Sequence, residues 1–116
     1  AGLCFFLMMG ISWQVGAYDE DDLEKLKSTG DCSGCDLSEV FLQGVDLTEA
    51  NLSRVELRGA TLYGANLIDA NLTEASLHYA NLTNANLTDA IMRDAHIPGI
   101  IFCRTQTPLG EDNSGC

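Results

Sequence analysis

Cysteine and histidine carry the most varied chemistry in this chain, and their spacing limits what that chemistry can be. Cys32 and Cys35 form a C-x-x-C, Cys103 and Cys116 stand near the end, and Cys4 lies apart in an apolar stretch. A C-x-x-C acts as a thiol redox centre when it opens a helix of a βαβ unit, and no such unit surrounds this one. Setting Cys4 aside, the other four make an even set, as in a chain held by disulfides in an oxidising compartment. His78 and His96 are two isolated imidazoles, which predicts no metal site. Asp and Glu recur at regular intervals, yet Asn, Ser and Thr fill the same places elsewhere, so these carboxylates read as solvated surface and not as an acid–base pair. The sequons at Asn71 and Asn81 arise from the same regularity. Neither a phosphate-binding loop nor a nucleophile motif is present. The expectation is a non-enzymatic protein without cofactor.

The 116 residues suffice for one domain. Seventeen acidic against six basic side chains give a formal charge of −11, which repels nucleic acid. Asp19, Glu20, Asp21, Asp22 and Glu24 crowd one stretch directly after residues 1–17, AGLCFFLMMGISWQVGA, which carry no charge. This segment reads as a signal peptide, with Val15 and Ala17 placed for cleavage before Tyr18, or as a membrane anchor with Trp13 and Tyr18 at the interface. As a helix it would reach about 25 Å. Either way, the chain from Tyr18 onward is expected across a membrane.

What positions these residues is a repeat. From Cys35 to Arg104 every fifth residue is apolar: Leu37, Leu42, Leu47, Leu52, Leu57, Leu62, Leu67, Leu72, Leu77, Leu82, Leu87, Met92, Ile97 and Phe102. Two residues before each centre stands Cys, Ala, Val or Ile. A period of five fits neither helix nor strand, so the chain must turn a corner in every pentad. Pentads that each form one side of a square give a coil of four sides, with residue i stacked on i+20. The fourteen pentads then make about 3.5 coils, roughly 15–17 Å tall. A core filled this way is expected to leave no pocket, and since ladders join residues twenty apart, His78 and His96 are not expected to stack.

The pattern resembles the pentapeptide-repeat family, A-(D/N)-L-x-x, in Ala50-Asn51-Leu52, Ala65-Asn66-Leu67, Ala70-Asn71-Leu72, Ala80-Asn81-Leu82 and Ala85-Asn86-Leu87. The resemblance implies an all-β fold, a right-handed quadrilateral parallel β-helix. Gly30-Asp31-Cys32-Ser33-Gly34-Cys35-Asp36-Leu37, together with a tail ending Asn113-Ser114-Gly115-Cys116, is similar to the lumenal pentapeptide-repeat proteins of cyanobacteria and plastids. That narrower likeness implies a thylakoid lumen address; with export, the paired cysteines, the apolar segment and outward aromatic residues, the expectation is an accessory subunit docked on or anchored in a photosynthetic membrane complex. Other family members mimic DNA and bind gyrase; the acidic charge fits them, but export and a short rod do not. A free soluble lumenal protein is the third reading.

Both ends of such a solenoid need covering. Residues 18–34 are expected to form an acidic capping helix and turn, with Leu23 and Leu26 over the first coil, and residues 105–116 a tethered tail. Cys35 and Cys103 would lie three strand spacings apart, about 14 Å, too far to pair. Cys103 is therefore assigned to Cys116, and Cys32 to Cys35 unless Cys35 is a buried free thiol. Outward apolar residues are Phe41, Tyr63, Ile68, Tyr79, Ile91 and Ile101. Phe41, Tyr63 and Ile101 fall on one wall with Tyr79 at its corner, and this wall is expected to dock a protein partner.

Overall fold

The computed structural model describes residues 17–116. The expected leader or anchor over 1–17 lies outside the described residues but for Ala17. Among the described residues, no helix is long and apolar enough to cross a membrane.

Each pentad from Cys32 to Ile97 closes through one backbone hydrogen bond. The carbonyl of the central residue accepts the N–H three residues on, as in Ala60 N–H to Leu57 O at 3.0 Å and Ala80 N–H to Leu77 O at 3.0 Å. The residue two after the centre has φ near +60°, from Gly34 (73°) to Arg104 (50°). A left-handed third residue under such a bond makes a type II turn. Glycine holds the place at Gly34, Gly44, Gly59, Gly64 and Gly99, and residues with a Cβ hold the others.

Successive coils are joined by parallel bridges twenty residues apart, running from Asp31↔Asn51 to Asn86↔Gln106. Each rung pairs a central N–H with a carbonyl in the coil above, such as Leu62 N–H to Asn81 O at 2.8 Å. The interior is a continuous column: Leu52, Leu57, Leu62, Leu67, Leu72, Leu77, Leu82 and Leu87 are almost wholly buried, with Ala60 to Ala85 between them. Asn and Asp just before each centre fold their side chains into the backbone. Asn71 Oδ1, for example, accepts from the Thr73 N–H at 3.0 Å and its hydroxyl at 2.6 Å, which explains the polar residues of the repeat.

The ladder begins one pentad earlier than the period of leucines marks. Cys32 is fully buried in a central slot, and Asp31 forms the first rung. Beneath it lies α1, Glu20–Thr29, N-capped by Asp19 and ended by Gly30 at φ 73°. Leu26 is buried and Leu23 half-buried against the core. The helix start also satisfies the sheet edge: the Asp19 N–H donates to Asp36 O (2.9 Å), and Asp22 Oδ2 accepts the Asp36 N–H (2.9 Å). At the other end the chain forms a hairpin, β1 (Thr105–Thr107) with β2 (Gly110–Asp112), paired antiparallel. Thr105 is buried, its hydroxyl donating to Leu82 O at 2.7 Å.

The last coil has no neighbour above its first two walls. Ile97 is 42% exposed, and an apolar concavity of about 350 Å³ opens above Met92, Ile97 and Phe102. This corrects the expectation of a pocket-free core, which holds only where one coil covers another.

Leu62→Ala removes side-chain volume from the middle of the column. It is expected to cost about 3 kcal/mol, read as a lower guanidinium midpoint at unchanged m-value; a loss under about 1 kcal/mol would mean that the coils relax around the gap.

Candidate protein-interaction surface

One wall is built on Leu42, Leu62, Leu82 and Phe102. Just before these centres stand Phe41, Thr61, Asn81 and Ile101, joined rung to rung. Phe41 is 59% and Tyr63 45% exposed. They occupy adjacent coils of this wall on either side of the central column. The Tyr63 hydroxyl accepts from Asn84 Nδ2 at 2.9 Å, and Asn84 Oδ1 accepts from Arg104 Nε at 2.9 Å. Tyr63 is thereby held up along the wall. Ile101 belongs to the same ladder but is separated from Phe41 by two polar rungs, about 14 Å.

Tyr79 stands at the corner leading into this wall, at φ 60°. Its ring lies over Gly99, where a Cβ would sit 2.4 Å from the ring, and the Arg58 guanidinium approaches it to 5.8 Å. Gly99 therefore serves two needs, the corner and the close approach of an aromatic face. Ile91 is exposed on a different wall and Ile68 is half-buried. Sequence reading passed over Leu109, at the hairpin tip, which is almost entirely exposed.

The four cysteines form two disulfides, Cys32–Cys35 and Cys103–Cys116, with Cα separations of 5.2 and 4.8 Å. The second ties the tail to the last coil. There the Gly115 N–H donates to Phe102 O at 2.7 Å, so close that a Cβ at Gly115 would meet the Phe102 backbone at 3.0 Å.

The profile of the Pentapeptide repeats family (8 copies) matches residues 31–67, 56–94 and 65–102, beginning at the first rung of the ladder. The chain belongs to the pentapeptide repeat family. Among solved structures it is similar to HetL, a pentapeptide repeat protein involved in heterocyst differentiation regulation in the cyanobacterium Nostoc. The two share 36% identity over 69% of this chain and 35% of HetL, with a TM-score of 0.56. This chain thus spans about a third of HetL's length. A second Nostoc pentapeptide repeat protein is 31% identical over 75% of this chain and 77% of its own, at a TM-score of 0.43. One from the thylakoid lumen of Arabidopsis thaliana is 24% identical over 82% and 74%, at 0.38. No curated protein matches the sequence.

The histidines of this pentapeptide repeat protein differ from expectation. The rings of His78 and His96 stack, with centroids 6.2 Å apart and planes at 24°. His78 follows its centre by one residue and His96 precedes its own, so the two meet diagonally across adjacent coils and not along a ladder. Ser76 Oγ holds His78 Nδ1 at 2.8 Å. Among the described residues no group of three or more candidate ligands gathers around a point.

The turns also set carboxylate chemistry. The Thr48 hydroxyl, then its N–H, hold the Asp46 carboxyl below its ordinary value of 3.8. Ser114 does the same for Asp112. A depressed carboxyl stabilises the fold above its unfolded value, and that contribution is lost as pH falls through the folded one. Carboxyl NMR titration should therefore place Asp46 below 3.8, and Thr48→Val should return it upward. Cys116→Ser should cost about 3 kcal/mol by freeing the tail loop, with faster solvent exchange at the Arg104 and Gly115 amides as the local readout.

Proposed function

We propose that this chain is a non-enzymatic interaction module that docks a protein partner on the wall bearing Phe41, Tyr63, Tyr79 and Ile101. The observation that carries this reading is the pair Phe41 and Tyr63, exposed on adjacent coils of one wall whose rungs between Phe41 and Ile101 are polar. An aromatic pair on a rigid sheet supplies contact area at little entropic cost, as interface anchors do. Two disulfides support an oxidising compartment, and the cysteine-bearing ends resemble the lumenal pentapeptide-repeat proteins. The thylakoid lumen is the address that fits both. The apolar segment 1–17 supports a partner at the membrane, such as a photosynthetic complex to which this chain is an accessory subunit.

A DNA-mimicking role is less well supported. Ten of the seventeen acids precede Asn51, in α1 and the first coil, so the charge gathers at one end and does not run along a wall as phosphates do.

A Phe41→Glu/Tyr63→Glu variant should keep the thermal midpoint within a few degrees and lose co-purification of the partner from detergent-solubilised membranes. Tyr63→Phe should retain it. Undiminished capture by the double variant would overturn the assignment of the wall.

A further inference from the structure

The carboxyl-terminal end of the solenoid is half covered by the chain's own tail. Over the wall of Phe102, Gly115 donates its N–H to Phe102 O, and Asn113 Oδ1 accepts the Arg104 N–H at 2.7 Å. The two neighbouring walls lack such a cover. One coil below, the N–H groups of Leu72, Glu74, Leu77 and Tyr79 donate upward to carbonyls at 91, 93, 96 and 98. Their equivalents on Met92, Asp94, Ile97 and Gly99 have no acceptor within the described residues. The Ala95 and Ile100 carbonyls correspond to those that Ala75 and Ala80 offer to His96 and Ile101, and they have no donor there either. Beside this edge opens the concavity floored by Met92, Ile97 and Phe102, with Leu109 and Asp112 on its rim.

We propose that this edge receives an extended, lysine- or arginine-bearing segment of a partner protein, which adds a strand over residues 92–99 and sets an aliphatic side chain in the concavity beside Asp112. Each wall offers two free donors and one free acceptor, and the two meet at the corner of Asp94; a segment that runs extended along one wall and turns with the next pairs with them, which is strand addition at a sheet edge. The tail already pairs with the adjoining wall of the same edge, so the geometry accepts a peptide. Charge selects among peptides: Asp112 lines the concavity and Glu111 and Asp94 are near it in the chain, so this end favours a basic segment, while the net charge of −11 repels a second copy. This contact is separate from the aromatic wall, and its test does not depend on that assignment.

The probe is a blocked decapeptide of alternating valine and lysine, added to the full oxidised chain labelled with ¹⁵N. Its control carries the same side chains but is N-methylated at alternate residues, which removes strand pairing. The amide signals of Met92, Asp94, Ile97 and Gly99 should shift and their solvent exchange slow about tenfold or more, and the control should bind about tenfold more weakly. Leu109→Ser, at a fully exposed rim position, should weaken the probe about fivefold, and Phe41→Glu/Tyr63→Glu should leave it unchanged. Three results would each overturn the proposal: shifts confined to the acidic helix α1, equal binding of the N-methylated control, or protection of these amides that rises with protein concentration without probe, which would make a second copy the occupant.

Discussion

The fold depends on a backbone conformation that L-residues disfavour. A chain that turns every five residues needs a left-handed residue at each corner, and at Glu39, Glu49, Arg54, Asp69, Glu74, Tyr79, Asn84, Asp89, Asp94 and Arg104 that residue carries a Cβ. Each such corner costs on the order of 1 kcal/mol. Together they approach the whole net stability of a small domain. No corner would hold by itself. Each is maintained because its neighbours above and below hold the same shape, with a turn bond, two rungs and a buried leucine per pentad. The coils are therefore cooperative by construction, as stacked repeats are.

That dependence on neighbours explains where the other devices sit. A terminal coil lacks support on one side, and both disulfides, the helix and the hairpin lie at the ends. Cys32 and Cys35 take inward positions of the first two pentads and cross-link them where no coil lies beneath. The helix covers only part of the amino-terminal edge, satisfying Asp36 through Asp19 and Asp22. At the opposite end Gly115 and Asn113 do the equivalent for Phe102 and Arg104. In both places the cover is a short segment that meets specific backbone groups.

The middle of the solenoid was legible in the sequence because its signal is repeated and strictly local: Ala65-Asn66-Leu67 carries an inward pair, an Asx turn and a rung in three residues. The ends were less legible because their determinants are not periodic. Cys32 occupies a leucine slot, but the turn-rich Gly30-Asp31-Cys32-Ser33-Gly34 hides it. The hairpin at Thr105–Asp112 has strands of three residues, too short for an alternating pattern to emerge. Contacts between coils follow the same logic. The stacking of Tyr79 on Gly99 combines the twenty-residue register with the bare backbone of a glycine, and His78 meets His96 only because side chains on a wall also reach diagonally. The aromatic wall was visible as a sequence pattern, whereas the fixing of Tyr63 by Asn84 and Arg104 required side-chain geometry.

The surface of this filled column is not uniform. One end is partly covered by an acidic helix. The other presents an unfinished edge and an apolar hollow whose floor includes Phe102, the last centre of the wall that carries Phe41 and Tyr63. Ile101, on the outside of that same pentad, is 37% exposed. The wall and the open end therefore meet at residues 101 and 102, one facing outward and the other upward. A single partner can approach along the wall and reach over the rim without crossing the acidic end. Under the docking proposed above, the polarity of the solenoid would orient the partner, with its aromatic contact on the side and its extended segment at the top.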